Sequence, residues 1–163
     1  MSHEAGTPDA VYDLIETIGI GMLVTSRQGA DMLRARPMAA SVKRQENAIF
    51  FLTDAEGSKD DEVREDPKVC LAFADPKGQR YVSVSGTARI SNDRARIKEL
   101  WSVGAQAFWD TPDDPAIQLV EVRPTEAEFW QGPGRIVSAV KMAVAAATGG
   151  RPDLGTNAKV GMR

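Results

Sequence analysis

The stretch that decides the fold is residues 81–90, which read YVSVSGTARI. Apolar side chains recur there at every second position apart from Gly86, at Val82, Val84, Ala88 and Ile90. Because successive side chains of a β-strand point to opposite faces, this period of two predicts a long strand with one face in the core. The residues DPKG at 75–78 form a predicted turn before it and separate it from another apolar run at 69–74.

Further β-favouring runs lie on both sides of this strand. The six predicted strands are residues 20–27, 33–43, 48–53, 69–74, 81–90 and 117–122. We expect the second and third to form a hairpin, and residues 127–130 to extend the sixth past Pro124. Tight turns separate most strands, without the regular strand–helix alternation of a parallel sheet. The pattern predicts a mainly β protein, a closed antiparallel barrel, since closure removes exposed sheet edges.

Helices are predicted at only a few places in the chain. They cover residues 8–18, a short segment that begins at Ser58, a segment from Asp93 to about Val103, and residues 134–148. Residues 149–163 carry Gly, Pro and Asn with little periodicity, which predicts a flexible C-terminal tail. We therefore predict one domain over residues 8–148.

The composition limits the chemistry and the partners of the protein. The 163 residues include 20 Lys plus Arg and 23 Asp plus Glu, for a net charge of -3, so nucleic acid is not an expected partner. The only cysteine and the only histidine are Cys70 and His3, which argues against an internal disulfide, a zinc cluster and a Ser-His-Asp triad. No run reaches the roughly 18 apolar residues of a membrane span, so we expect a cytoplasmic protein without membrane partners.

Three short motifs carry groups suited to a phosphorylated ligand. Arg36 stands beside Pro37, whose missing N–H is tolerated only at an edge, at a bulge or where the ladder is interrupted. Ser58-Lys59 follows a strand end at a predicted helix start, where backbone amides, a hydroxyl and an ammonium would meet a phosphate. Gln79-Arg80-Tyr81 opens the fifth strand. Each motif alone also fits a helix cap or a solvated surface charge.

In their order and spacing these motifs resemble the FMN-binding split barrel of pyridoxamine 5'-phosphate oxidase and its relatives, over about residues 14–130. Within that family the resemblance is to the bacterial general stress proteins. The matching elements are Arg36-Pro37-Met38, Phe51-Leu52-Thr53-Asp54, Ser58-Lys59, Gly86, Leu100-Trp101 and Phe129-Trp130. The resemblance implies a six-stranded antiparallel split β-barrel of Greek-key type with a few peripheral helices. It also implies a homodimer with two FMN sites at its interface.

The resemblance assigns roles to individual residues. Arg36, Ser58 and Lys59 are implied to hold the FMN phosphate. The backbone near Pro37 and Met38, together with the strand-end residue Thr53, is implied to line the ribityl chain and the ring.

The flavin ring also needs neighbours that tune and cover it. Arg80 is a candidate for a positive group near the N1 and O2 atoms, where charge develops on reduction. Trp101, Trp109 and Trp130 either cover the ring across the dimer interface or pack in the core or the interface.

The match to the true oxidase fails at residues 132–137, GPGRIV. The oxidase binds pyridoxamine phosphate there with an Arg-x-His-x-Arg element, and this chain has no histidine at that place. We therefore do not expect vitamin B6 oxidation. Four acids lie close together in the sequence, at Asp54, Asp60, Asp61 and Glu62, and they could suggest a metal site or an acid–base pair. Acidic residues at a solvated helix start explain them better. We therefore predict no metal site.

The sequence therefore predicts an FMN-binding flavoprotein of the general stress type. One reading is an oxidoreductase in which FMN carries the electrons and no protein residue acts as a nucleophile. The alternative is a non-catalytic module that stores or senses flavin, or that binds a deazaflavin or haem in the same groove. The catalytic residues, the electron donor and the acceptor are left open.

Overall fold

The structure is a computed structural model, and it describes residues 6–27, 31–55, 59–153 and 155–163, without the side chains of residues 59–61 and 135–136. The strands are β1 Ile20–Arg27, β2 Met32–Ala39, β3 Ser41–Lys43, β4 Ala48–Asp54, β5 Lys68–Asp75, β6 Arg80–Ser91, β7 Ile117–Gln131 and β8 Thr156–Gly161. The helices are α1 Pro8–Ile18, α2 Lys59–Glu65, α3 Arg94–Leu100 and α4 Arg135–Thr148.

One antiparallel sheet contains all eight of these strands. Its order is β2-β1-β5-β6-β7-β4-β3, and β8 pairs with β7. The two ends of that order, β2 and β3, are separated in the chain only by Ala40. The sheet must therefore curl until its ends meet. This confirms the mainly β, antiparallel barrel, with eight strands in place of six because the run at 33–43 divides at Ala40 and a further strand forms at the C-terminus.

The longest strand, β7, connects the two parts of the sheet. It pairs with β6 over most of its length, whereas β4 pairs with its first half and β8 with its second. The prediction that this strand continues past Pro124 is confirmed. Pro124 faces Gly86, where the register shifts, and a Cβ on Gly86 would lie 2.4 Å from the carbonyl oxygen of Arg123. Only glycine fits this crossing without displacing backbone.

The N-terminal helix α1 begins and ends as the sequence predicts. The hydroxyl of Thr7 accepts a hydrogen bond from the backbone N–H of Ala10 at 3.3 Å, and Gly19 ends the helix with φ 79°. Its buried side chains are Val11, Tyr12, Leu14 and Ile15. They pack into the main core, so α1 is part of the barrel domain.

The apolar residues form two cores on opposite faces of the β4–β7 sheet. The main core holds inward residues of β1, β4, β5, β6 and β7, among them Leu23, Phe51, Leu71, Val84 and Phe129. The smaller core lies on the outer face, where α3 packs against Phe50 and Leu119. Because β4 is buried on both faces, it reads as a continuous apolar run.

The C-terminal residues depart from the flexible tail that the sequence predicts. Residues 156–161 form β8, and the side chains of Val160 and Met162 are only 3% and 1% exposed. These two apolar residues are separated by one position, which is the spacing of a strand. The sequence reading missed them because six residues are too few for a clear period, and because Gly155 precedes the strand and Gly161 ends it.

Candidate functional site

Two arginines of β2 point into one end of the barrel. Arg34 is paired with Thr25 across the β1–β2 ladder, and Arg36 is paired with Leu23. Paired residues share a sheet face, and Leu23 lies in the main core, so this is the inner face. A charge directed at a core needs a buried partner.

That partner is Glu62 of α2. Arg36 donates from Nη2 to Glu62 Oε2 at 2.5 Å and from Nη1 to the Thr25 hydroxyl at 2.8 Å. Thr25 in turn donates to Glu62 Oε2 at 2.6 Å, and Arg34 Nη1 lies 3.3 Å from Glu62 Oε1. We call Thr25, Arg34, Arg36 and Glu62 the Arg36 cluster. Every polar side chain in it therefore has a partner.

The cluster is buried at its carboxylate and open at its arginines. Glu62 and Thr25 are 2% and 1% exposed, whereas the side chain of Arg36 is 17% exposed. Burial raises the pKa of the Glu62 carboxyl, but hydrogen bonds from Thr25 and Arg36 and the charges of both arginines outweigh it, so the pKa lies below its usual value. The Glu62 carboxylate faces both guanidinium groups, and the Arg36 side chain keeps part of its surface exposed.

The sequence reading placed Glu62 among the solvated acids of a helix start, and for Glu62 this is wrong. It missed the residue because an isolated acid near a helix start is usually exposed. The available signal was the spacing of Arg34 and Arg36, which share one strand face and need a counter-charge. Of the other acids in that group, Asp54 is exposed, and the side chains of Asp60 and Asp61 lie outside the described residues.

Two more predicted site residues lie near this end of the barrel. Met38 and Thr53 are both buried, at 9% and 4% exposure. Met38 lies on β2, and this strand contacts β4, which carries Thr53. Thr53 is paired with Gln118, whose buried Oε1 atom has no hydrogen-bond partner among the described residues. Sequence reasoning did not single out Gln118.

Pro37 faces the opposite way from its neighbours. It is exposed on the outer face of the sheet, paired with Met22 of β1. Because β2 ends the strand order, the missing N–H of Pro37 interrupts no second ladder. Of the three settings in which the sequence analysis allows this proline, the structure shows the edge strand.

The Ser58-Lys59 motif is only partly within the described residues. Ser58 lies outside them, as does the side chain of Lys59. The backbone of Lys59 opens α2, and this helix has seven residues. The assignment of both side chains to a phosphate therefore stays a prediction.

Arg80 and Trp130 lie on other strands than the Arg36 cluster. Arg80, at the start of β6, pairs with Gln131 at the end of β7. The guanidinium of Arg80 binds Asp75, with Nε 2.9 Å from Oδ2. Hydrogen bonds from the Gly78 N–H and from Arg80 lower the pKa of Asp75.

The three tryptophans lie at two separate places on the outer side of the barrel. Trp130 is 39% exposed and paired with Tyr81 on the outer face of the sheet. Trp101 and Trp109 instead pack against the small core beside α3. The buried Nε1 of Trp109 has no hydrogen-bond partner in the described part of the chain. A role of any of them above a ring stays a prediction.

A second charged group lies on the outer face of β6 and β7. Arg89 and Arg123 both bind Glu121, each at 2.7 Å, beside a pocket of about 320 Å³. Glu121 is 7% exposed, and its pKa is lowered because these hydrogen bonds and charges outweigh burial. No residue of this group belongs to the predicted motifs.

Two other features are absent from the part of the chain that the structure describes. Within that part, no three His, Cys, Asp or Glu side chains are grouped so that they could hold a metal ion. None of the described helices is long and apolar enough to cross a membrane.

Comparison with known proteins places this fold among related chains. The family model described as "Pyridoxamine 5'-phosphate oxidase like" matches residues 7–153. General stress protein 26 of Bacillus subtilis (strain 168) is 25% identical over 119 residues, which are 71% of this chain and 82% of that protein.

Solved structures give the same result. A protein described as general stress protein 26 from Jannaschia sp. CCS1 is 28% identical, with a TM-score of 0.76, over 93% of this chain and 95% of its own. The general stress FMN/FAD binding protein of Xanthomonas citri is 22% identical, with a TM-score of 0.66, over 76% of this chain and 87% of its own.

Proposed function

The chain belongs to the pyridoxamine 5'-phosphate oxidase-like family, and from this premise we propose that it is a cytoplasmic general stress flavoprotein that binds FMN at the Arg36 cluster. The observation that carries the proposal is the partly exposed side chain of Arg36, whose permanently charged guanidinium Glu62 and Thr25 hold at the inner face of the barrel. A guanidinium is planar and permanently charged, and it binds a phosphate dianion through charge-assisted hydrogen bonds. The FMN/FAD binding protein of Xanthomonas citri, which shares this fold, supports a flavin as the ligand.

The polar groups near Thr53 fit a ligand with hydroxyl and amide groups. A buried oxygen without a hydrogen-bond partner is rare in native proteins and needs an explanation. Gln118 Oε1 is such an atom, and it lies one strand from Thr53. A ribityl hydroxyl or a ring N–H would satisfy it, whereas an apolar ligand would leave it without a partner.

FMN, when bound, supplies electron transfer, and the protein supplies binding, orientation and exclusion of water. Arg36, with Ser58 and Lys59, would hold the phosphate. The backbone at Pro37, together with Met38 and Thr53, would line the ribityl chain and the ring. Because the Met38 and Thr53 side chains are buried, this part of the site keeps water away from the reacting atoms.

A second copy of the chain is the proposed partner, and the outer sheet face is the proposed interface. Exposed apolar side chains occur on five neighbouring strands of this face: Ile20, Met22, Leu33, Pro37, Ala39, Ala72, Ala74, Tyr81 and Trp130. Contiguous apolar surface of this kind on a monomer usually marks an interaction site.

A two-fold axis on this face would also complete the site. In such a dimer the same patch of both chains packs together in opposite directions. One end of the patch therefore contacts the other end of the patch on the partner. Pro37 lies at one side of the face and Trp130 at the other, so each Arg36 cluster would approach the Arg80–Trp130 end of the second chain. In this way Arg80 and Trp130 of one chain would approach a flavin held by the Arg36 cluster of the other.

Sedimentation at micromolar concentration tests the dimer. We expect about twice 17.6 kDa, and a Met22→Glu variant, which places a charge in the centre of the face, should sediment as a monomer. A wild-type monomer that binds FMN would overturn the interface.

Flavin titration of the purified protein tests the site. FMN should bind, and riboflavin, which lacks the phosphate, should bind much more weakly, since each charge-assisted hydrogen bond contributes about 1.5–3 kcal/mol. Arg36→Ala should weaken FMN at least tenfold and leave riboflavin unchanged. Equal binding of both flavins, or no effect of Arg36→Ala, would overturn the assignment.

Reduction of the bound flavin tests the redox role. NADH or NADPH should bleach the visible flavin absorption in the absence of oxygen, and an added acceptor should restore it in repeated cycles. If neither nucleotide reduces the flavin faster than free FMN, the oxidoreductase reading is wrong for these donors and the protein acts as a flavin-binding module.

A further inference from the structure

We propose that Glu62 is a positioning residue for phosphate binding, which acts by holding the guanidinium of Arg36 in one orientation. The inference rests on the proposed FMN site. Neither Glu62 nor α2 beyond its first residue belongs to the motifs that predict the site. The position of the Glu62 carboxylate relative to Arg36 decides whether it supports phosphate binding or competes with it.

Glu62 contacts Arg36 from the buried side. Glu62 is 2% exposed and the Arg36 side chain 17%, so solvent reaches Arg36 but hardly reaches Glu62. A phosphate reaching this end from solvent would meet Arg36 without displacing Glu62. The carboxylate is therefore a support behind the binding group and not a competitor for it.

The hydrogen-bond count leaves donors for a phosphate. A guanidinium has five N–H groups. Arg36 uses one on Thr25 and one on Glu62. By that count three N–H groups are left, including Nε–H, and they lie in the plane that the two bonds fix. A guanidinium already held in one plane loses less conformational entropy on binding an anion than one that is free to rotate.

The groups that surround residue 62 suit a carboxylate and do not suit an amide. Among the described residues, Arg34 and Arg36 of β2 and the hydroxyl of Thr25 on β1 surround the carboxylate, which accepts three hydrogen bonds. A glutamine has one acceptor oxygen, and its amide N–H groups would point toward an arginine. Glu62→Gln therefore removes both the charge and part of the geometry that orient Arg36.

A merely structural role would have a different signature. Glu62 neighbours Val63, which is 4% exposed in the main core, so the residue could simply anchor α2. Loss of an anchor would loosen the whole end of the barrel and weaken every flavin. Loss of a positioning group should weaken only the ligand that carries a phosphate.

The experiment measures FMN and riboflavin affinities for four proteins: wild type, Glu62→Gln, Arg36→Ala and the double variant. We expect Glu62→Gln to weaken FMN about tenfold and to leave riboflavin within about twofold. In the Arg36→Ala background the same change should leave the FMN-to-riboflavin ratio unaltered, because the group that Glu62 positions is absent.

Glu121→Gln is the matched control, since Glu121 is another buried carboxylate held by two arginines. It should leave the affinity ratio unchanged. If Glu62→Gln does not fold, Glu62→Asp is the second variant. It keeps the negative charge but shortens the side chain by one methylene. It too should weaken FMN and spare riboflavin.

The outcomes separate the two proposals. If Glu62→Gln, or Glu62→Asp in its place, weakens both flavins equally or weakens neither, the positioning role is wrong while the FMN site stands. If it weakens FMN by the same factor with and without Arg36, it acts independently of Arg36 and the inference is again overturned. If Arg36→Ala does not change the affinity ratio, the proposed site itself fails.

Discussion

Replacing Thr25 by valine tests the energetics of the Arg36 cluster. The Thr25 hydroxyl, 1% exposed, donates to Glu62 Oε2 at 2.6 Å and accepts from Arg36 Nη1 at 2.8 Å. Valine has nearly the same size and removes both bonds. A buried carboxylate then loses one of its three hydrogen bonds in a place that water hardly reaches.

The expected loss follows from these contacts. A hydrogen bond to a charged group contributes about 1.5–3 kcal/mol net. Arg36 is partly exposed and can recover a bond from water, so we expect the loss of the bond to Glu62 to dominate, at about 2 kcal/mol. Thr25→Ser is the control, because it keeps the hydroxyl and removes one methyl group, which costs about 1 kcal/mol. Apolar burial alone would predict the reverse order, with valine more stable than serine.

The loss should depend on pH with a defined sign. The folded-state pKa of Glu62 lies below its unfolded value, which is about 4.3. The stabilisation is therefore fully present above that unfolded value and disappears as the pH falls through the folded-state pKa. The difference between wild type and Thr25→Val should be largest near neutral pH and should shrink in acid.

Urea unfolding at one fixed protein concentration measures all three proteins. Near neutral pH we expect the order wild type, Thr25→Ser, Thr25→Val in decreasing free energy of unfolding. If Thr25→Val is as stable as Thr25→Ser, or if its deficit is the same at neutral pH and at about pH 3, the hydroxyl does not stabilise an ionised Glu62 and the reasoning is refuted.

Two other predictions concern the sheet crossing and the substrate. Gly86→Ala should destabilise the fold by about 1–3 kcal/mol, since its Cβ would lie 2.4 Å from a backbone oxygen, whereas Gly161→Ala, with nothing within 4 Å, should have little effect in the same thermal unfolding assay. Pyridoxamine 5'-phosphate should not be oxidised under air with saturating FMN, because residues 132–137 lack the second set of phosphate ligands. Peroxide formation at about 1 per second or faster would contradict this.

The sequence predicts most strands because burial has a clear period. Val82, Val84, Ala88 and Ile90 alternate over ten positions, and β6 lies there with the same inward residues, apart from Ile90, which is partly buried. For α1 the helical spacing and the capping residue act together. Both signals are local, so a reader of the sequence needs no knowledge of distant residues.

What the sequence does not predict depends on distant partners. β8 is short, and it forms because the second half of β7 has a free side after β4 ends. Glu62 is buried because Arg34 and Arg36, more than twenty positions away, point inward at the same place. Neither condition leaves a local pattern, so composition near each residue suggests a tail and a solvated acid.

The Arg36-Pro37-Met38 motif gains its meaning from where its strand lies. On a strand, successive side chains alternate, so Arg36 and Met38 face the barrel interior while Pro37 faces outward. Proline is tolerated because β2 pairs with β1 alone across this position. If the cofactor binds at the inner face and the second copy packs on the outer face, Arg36 and Met38 contribute to the cofactor site and Pro37 contributes to the interface. A one-residue slip of β2 would turn the arginine toward the interface and the proline toward the site. Cofactor binding and dimerisation would then fail together, which ties the two proposals to a single register.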